Sequence, residues 1–290
     1  MNQLVQLLVL GVTLGAIYAM VGVGFALINN ATGIINFAQG EYLMVGAMTA
    51  TTLLDMGWPL PVVLVVCTAL CGGLGALAER GTIRLATGAS VETLILITIG
   101  TSIAVQGIGL LIWGVSPRRY GPFTAGPPVP IFGAAVSRQS LWAIGFAIAV
   151  GVLLWWMLTR TRRGKAMRAC QMAPEAARLQ GISPSLMSLG AFSLATAIAG
   201  AAGVVLVPIT SASYAMGLPL ALKGFTAAVI GGLGSPLGAI AGGLLLGIAE
   251  QLASGYLASG MKDGLAFAFL FLVLVVRPQG LLGARNVSRV

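Results

Sequence analysis

The sequence predicts an all-α protein, a polytopic bundle of transmembrane helices formed by one transmembrane domain over residues 1–290. Of the 290 residues, 58% are hydrophobic and 8% are charged, whereas roughly 25% of the residues of a soluble domain are charged. The mean hydropathy is +0.98, and apolar runs recur that reach the length of about 20 residues needed for a helix to cross a bilayer. The 41 glycines favour closely packed membrane helices.

Eight apolar runs are predicted to be membrane helices. The first run has no basic residue before it, since Arg80 is the first Lys or Arg of the chain. It therefore lacks the basic segment of a cleavable signal peptide and is expected to remain as a helix. The runs cover residues 5–28, 34–54, 59–78, 93–115, 141–159, 186–207, 236–256 and 262–276.

Two segments interrupt this pattern. Residues 29–40, NNATGIINFAQG, place glycines and amides between two apolar runs, and a short apolar run at 220–232 ends in glycines and Pro236. The short run is predicted to be a half-helix, which either crosses the membrane or re-enters it. Interrupted helices line the substrate paths of many transporters, and breaks in both halves of a chain indicate internal symmetry.

The distribution of basic residues predicts the orientation. The loop at 160–178 carries six Lys or Arg residues and one acid, Glu175, and is therefore expected in the cytoplasm. Counting crossings places the N-terminus and the loop at 116–140 in the periplasm, although that loop contains three arginines. The run at 220–232 is expected to cross, which returns the C-terminus with its arginines to the cytoplasm; if the run re-enters instead, the charge rule fails at that end. The net charge is +9, but the basic residues lie between apolar runs and not in one solvated patch. Membrane lipid is therefore the expected contact, and nucleic acid is not.

Three acids fall within or beside the membrane runs, where a charge costs about 2.5–3.5 kcal/mol. Glu41, next to Asn36 and Gln39, either lines a polar path or binds backbone amides at a helix start near the interface. Glu250 either joins two helices or lines the path. Glu92 precedes its apolar run and is interpreted as an acid of the first helical turn.

Enzyme chemistry is not predicted. The chain has no His, no carboxylates at metal-ligand spacing and no serine in a nucleophile elbow, so no catalytic residue, bound metal or cofactor is expected. Cys67 and Cys71 share a helix face, but without further ligands they are interpreted as apolar packing residues. No GxxxxGK[ST] loop is present, so any use of ATP requires separate nucleotide-binding subunits.

A soluble segment at about 160–185, RTRRGKAMRACQMAPEAARLQGISPSLM, contains the signals of a short helix. Pro174 suits the first turn, Glu175, Ala176 and Ala177 favour a helix, and Gly181 suits its end. Such a helix is either a connector at the membrane surface or a rigid element that docks a partner.

Three motifs carry a family resemblance. PEAARLQGI, with Arg168 ahead of it, resembles the EAA-type coupling loop of ABC importer permeases. LGAIYAMVGVGFALINNATGIINFAQGEYLMVGA and KGFTAAVIGGLGSPLGAIAGGLLLGIAE are similar to segments of LivH-type branched-chain amino acid permeases. Where that family commonly reads NFAHGE, this chain has Gln39, which removes a titratable group and argues against proton coupling there.

The resemblance implies a permease of the inner membrane that works with partners. These are a homologous LivM-type permease, two ATPase subunits that bind ATP and Mg, and a periplasmic binding protein. The substrate would be leucine, isoleucine, valine or a relative; urea, short amides and aromatic acids are alternatives. An ion-coupled transporter or channel is the alternative from another class, and a membrane scaffold is a third. The residues implied in coupling to the ATPase are Arg168, Pro174, Glu175, Ala176, Ala177 and Gly181.

Overall fold

The structure is a computed structural model of a helical bundle. It describes residues 2–86, 88–131 and 133–256 and, toward the C-terminus, residues 264, 268, 270–273, 275, 277 and 279–282. The helices assigned within 2–256 are α1 (Asn2–Thr32), α2 (Gln39–Asp55), α3 (Leu60–Ala78), α4 (Val91–Trp113), α5 (Arg138–Arg160), α6 (Arg162–Met172), α7 (Pro174–Leu179), α8 (Pro184–Thr210), α9 (Gly217–Gly231) and α10 (Pro236–Tyr256). A π-helical turn, Glu79–Ile83, extends α3. Two short antiparallel strands, β1 (Val129–Ile131) and β2 (Ala134–Val136), form a hairpin between α4 and α5.

The helices confirm the predicted membrane bundle. Among the described residues, six helices are long and apolar enough to cross a membrane, namely α1, α3 with its π-helical turn, α4, α5, α8 and α10. The predicted run at 34–54 is α2, with 17 residues, and the run at 220–232 is α9, with 15. The eighth predicted run, 262–276, lies largely outside the described residues.

Helix α8 forms the centre of the bundle. In its most apolar stretch 78% of the residues are buried, whereas only 17% are buried in the corresponding stretch of α4, at the periphery. Small residues allow α8 to approach its neighbours closely. A Cβ at Gly200 would lie 2.6 Å from the Cys71 Cβ on α3, and one at Gly203 would lie 2.8 Å from the Ala47 nitrogen on α2. Larger side chains would separate these helices.

Helices α1 and α10 form an antiparallel pair with glycines at their contact. A Cβ at Gly11 would lie 2.7 Å from the Cα of Ile248, and a Cβ at Gly15 would lie 2.7 Å from the Cα of Leu244. From the other side, a Cβ at Gly247 would lie 2.5 Å from the Cα of Gly15. The backbones therefore touch directly, and α10 begins at the end of the bundle where α1 ends.

The bundle has two distinct ends. At the end that holds the hairpin, here called the hairpin end, the Gln6 side chain exchanges hydrogen bonds of 3.2 and 3.0 Å with the Ala135 backbone. At the opposite end, here called the basic end, α6 and α7 follow α5. The C-terminal residues return to the basic end, because the Leu281 N–H donates to the Ile230 carbonyl at the end of α9.

Candidate functional site

The predicted interruption between the first two apolar runs is present. Helix α1 ends at Thr32, where Gly33 takes a positive φ of 72° that glycine adopts without steric cost. The chain then turns inside the protein, and the Asn36 Oδ1 accepts a 3.1 Å hydrogen bond from the Ala38 N–H. Helix α2 begins directly afterwards at Gln39. The break is a structured turn between two buried helices.

Gln39 holds the start of α2 against the central helix. Its side chain is fully buried, and its Nε2 donates a 2.9 Å hydrogen bond to the Ala195 carbonyl on α8. The Gln39 Oε1 and the Asn36 Nδ2 are buried and have no hydrogen-bond partner within the part of the chain that the structure describes. Two polar atoms near the break therefore remain unsatisfied, which is costly in a low-dielectric interior.

The Glu41 carboxylate has a hydroxyl partner but no cation beside it among the described residues. It is 1% exposed, and its Oε1 accepts a 3.0 Å hydrogen bond from the Ser102 hydroxyl on α4. Its Oε2 has no partner among the described residues. The carboxylate lies against Gly217, the first residue of α9, where a Cβ would overlap it. The positive end of the α9 dipole stabilises an anion there. Glu41 is an acid of the first turn of α2, and its burial within the bundle separates it from bulk solvent.

Glu250 is held differently. It is 3% exposed, and its Oε1 accepts a 2.7 Å hydrogen bond from the Lys223 ammonium on α9. The ammonium also donates to the Tyr18 hydroxyl on α1 at 3.3 Å and lies 5.3 Å from the centre of the Tyr18 ring. The pair joins α1, α9 and α10. Of the two interpretations of Glu250, the contacts correspond to the one in which it joins helices. Its partner Lys223 is the first residue of the glycine-rich motif and was not predicted to take part.

Two further acids, Glu92 and Glu79, lie near helix ends. Glu92 is exposed in the first turn of α4, whose N-cap Ser90 accepts a 3.3 Å hydrogen bond from the Thr93 N–H, as predicted. Glu79, which the sequence did not single out, is 2% exposed. The π-helical turn carries α3 past the end of its apolar run, and this extension buries Glu79.

The cysteines serve as packing residues. Cys67 and Cys71 are buried, and the Cys71 thiol lies 3.3 Å from the Tyr42 carbonyl. Cys170 is buried on α6, and this burial raises the pKa of its thiol, so the thiol stays protonated. In the described ranges no three His, Cys, Asp or Glu side chains are grouped to hold a metal ion.

The predicted short helix at the basic end is α7. Pro174 begins it, and Gly181, at a positive φ of 76°, follows its end. The Gly181 N–H donates to the Arg178 carbonyl at 2.9 Å, and the Ile182 N–H donates to the Ala177 carbonyl at 3.0 Å. This hydrogen-bond pair is the Schellman motif, which favours glycine at its left-handed position. Both the start signal and the stop signal are confirmed.

The surface of α7 is partly apolar. Pro174, Glu175 and Ala176 are exposed, and the large side chains of Met172 and Leu179 are 85% and 88% exposed. These two residues were not predicted from the sequence, because their neighbours show no hydrophobic periodicity.

Two of the residues implied in coupling to the ATPase, Ala177 and Arg168, make contacts within this chain. Ala177 is 4% exposed and faces the interior, so its small size serves the packing of this chain. Arg168 donates a 2.6 Å hydrogen bond from its Nη2 to the Leu158 carbonyl near the end of α5. It thereby ties α6, and with it α7, to a membrane helix.

Comparison with known proteins identifies relatives along nearly the whole chain. The family described as "Branched-chain amino acid transport system / permease component" matches residues 7–275. The high-affinity branched-chain amino acid transport system permease protein LivH of Escherichia coli K12 is 32% identical over 97% of this chain and 96% of its own length.

Other organisms have similar proteins. The high-affinity branched-chain amino acid transport system permease protein BraD of Pseudomonas aeruginosa is 32% identical over 98% of this chain and 97% of its own length. A probable branched-chain amino acid transport permease protein LivH of Methanocaldococcus jannaschii is 29% identical over 91% of this chain and 88% of its own length. The similarity therefore includes both the α1–α2 break and the α6–α7 segment.

Proposed function

Because this chain belongs to the family of branched-chain amino acid transport permease components, we propose that it is one transmembrane subunit of an ATP-driven importer. The substrates are leucine, isoleucine, valine or close relatives. The observation that carries this proposal is the similarity over 97% of the chain to a permease named for that transport. The permease itself makes and breaks no covalent bond.

The chain requires partners for this activity. Since it contains no P-loop, two separate ATPase subunits bind ATP and Mg and drive the conformational change. A homologous permease forms the other half of the path, and a periplasmic binding protein delivers the amino acid. The exposed surface formed by Met172, Pro174, Glu175, Ala176 and Leu179, here called the α7 surface, is the docking element for one ATPase.

The basic end faces the cytosol in this proposal. The support is the positive charge of α6, which places a loop on the cytoplasmic side. The N-terminus and the hairpin then lie in the periplasm, and the C-terminus lies in the cytosol. An exposed residue at each end tests this orientation. We expect an impermeant thiol reagent to label Ala125→Cys in intact cells and Arg163→Cys only after permeabilisation. Labelling of Arg163→Cys in intact cells would reverse the orientation.

The translocation path passes the α1–α2 break. Asn36, Gln39 and Glu41 support this assignment, because each has a buried polar atom without a partner in the described chain and all three lie within six residues. Glu250 takes part indirectly by fixing α9, whose first residue contacts Glu41.

Reconstitution tests the importer against the ion-coupled alternative. The chain is placed in liposomes with its partner permease, ATPases and binding protein, and uptake of labelled leucine is measured. We expect uptake to require ATP on the side of the membrane that carries the ATPase subunits. The binding protein should be required on the opposite side. Uptake by this chain alone, driven by a proton or sodium gradient, would establish the alternative.

The role of α7 has its own matched test. Leu179→Asp places a charge on the α7 surface, while Leu85→Asp changes a leucine that is 81% exposed in another loop of the basic end. We expect Leu179→Asp to reduce ATPase retention during purification and to lower uptake at least tenfold, a change of about 1.4 kcal/mol. Leu85→Asp should leave both unchanged. Equal retention and uptake in the two variants would show that α7 is an ordinary connector.

A further inference from the structure

An apolar groove lies on the outside of the bundle, where α1, α5 and α10 meet. Its volume is about 440 Å³, and its lining is almost wholly apolar. Ala16 on α1, Gly151 on α5 and Ile240 on α10 lie along its floor and walls. These helices are among those able to cross a membrane, so the groove opens toward the hydrocarbon of the bilayer.

The groove is shorter than a membrane-spanning helix. Along α5 the lining extends from Ile144 to Trp155, which is about 16 Å at the rise of an α-helix, whereas the hydrocarbon core of a bilayer is about 30 Å thick. The lining begins six residues after Arg138 and ends five residues before Arg160, so the groove lies near the middle of α5. A groove of this length fits part of one acyl chain that enters from the basic end.

The groove ends beside a concentration of positive charge. Trp155 and Leu237 line it nearest the basic end, and α5 ends about 7.5 Å beyond Trp155 at the helical rise. No acid occurs between Arg160 and Ala173. The exposed basic side chains there are Arg160, Arg162, Arg163, Lys165 and Arg168.

We propose that this groove binds an acyl chain of an anionic phospholipid whose phosphate group lies among the basic residues that join α5 to α6. Dispersion contacts and exclusion from bulk lipid favour any acyl chain in the groove. The basic residues add the preference for a negatively charged headgroup, because basic pockets beside transmembrane helices bind anionic lipids. The bound lipid thereby contacts both the membrane helices and the α6 segment.

Tryptophan quenching measures this binding on the full chain in vesicles. Brominated phosphatidylglycerol or brominated phosphatidylcholine is added, and the Trp155 signal is obtained by subtracting a Trp155→Phe variant. We expect the glycerol lipid to quench Trp155 at a several-fold lower mole fraction than the choline lipid. Equal quenching by the two lipids would overturn the proposal.

Two glycines of α5 separate groove binding from general lipid contact. A Cβ at Gly151 would lie 2.7 Å from the Ile240 Cδ1, whereas a Cβ at Gly145 meets nothing within 4 Å. Gly151→Leu therefore fills the groove and should abolish the preferential quenching, and Gly145→Leu should retain it. Gly151→Ala, a smaller change, should reduce the preference partly in a folded chain. Preferential quenching that persists in both Gly151 variants would place the lipid elsewhere.

The charge contribution is tested separately. Arg162→Gln and Arg163→Gln should each raise the phosphatidylglycerol fraction needed for half-quenching about fivefold, as about 1 kcal/mol for each basic residue predicts. Arg178→Gln on α7 should have no such effect.

In the assembled transporter the preference for phosphatidylglycerol should persist. Its loss on assembly, with Ile148→Cys cross-linking to another subunit, would show that a protein partner fills the groove.

Discussion

Glu41 and Glu250 are buried to nearly the same degree, at 1% and 3% exposure, but the chain neutralises them differently. Glu250 receives a full positive charge from Lys223 at 2.7 Å, together with the Tyr18 ring nearby. Glu41 receives one hydroxyl from Ser102 at 3.0 Å and the start of α9. The difference indicates that the Glu250 ion pair holds helices together, and it supports the proposal that Glu41 lines the translocation path.

Removal of the Lys223 charge has the largest expected effect. Lys223→Met leaves the Glu250 carboxylate buried without its cation, which should lower the free energy of unfolding by about 3–5 kcal/mol. Thermal or denaturant unfolding in detergent measures the change. The double variant Lys223→Met with Glu250→Leu should recover most of the loss, because an apolar pair of similar volume often replaces a buried ion pair at little cost. If the single variant is as stable as the parent, the pair does not hold the three helices.

Glu41→Gln should lower uptake and change the free energy of unfolding little, in contrast to Lys223→Met. It keeps a hydrogen-bonding group beside Ser102 and removes a charge that no cation balances among the described residues, so the free energy of unfolding should change by less than about 1 kcal/mol. Uptake by the assembled transporter should fall about tenfold, a change of about 1.4 kcal/mol. Glu92→Gln, at an exposed acid, is the control and should change neither quantity. Uptake at the parent rate in Glu41→Gln would remove Glu41 from the path.

The sequence predicts the membrane helices and α7 well because each contains a long apolar run or a clear terminal signal, whereas the 11-residue α6 was not predicted. The break at 29–40 and the α7 helix follow from glycines, amides and prolines whose conformational effects are local. The hairpin was not predicted, since its strands have three residues each. Its position depends on a contact with Gln6, which lies far away in the sequence.

The side-chain environment of the candidate site was harder to predict. Lys223 and Glu250 are 27 positions apart, and their pairing depends on how α9 crosses α1 and α10. Ala177 and Leu179 lie two residues apart on α7, but one faces the interior and the other faces outward. A six-residue helix contains too few turns for periodicity to distinguish its faces. Such features depend on tertiary packing, which a local pattern does not contain.

The smallest of these effects is expected at Ser102, which tests whether Glu41 acts through its single hydrogen bond. Ser102→Ala removes the hydroxyl that donates to the Glu41 Oε1 and should lower uptake about threefold, a change within the range for one hydrogen bond. Ser102→Thr keeps a hydroxyl and should retain most of the activity. The decisive measurement is a double-mutant cycle, in which coupled residues show non-additive effects. In a Glu41→Gln background, Ser102→Ala should lower uptake further by less than it does in the parent. If it lowers uptake by the same factor in both backgrounds, Ser102 acts on α4 packing and not on the Glu41 carboxylate.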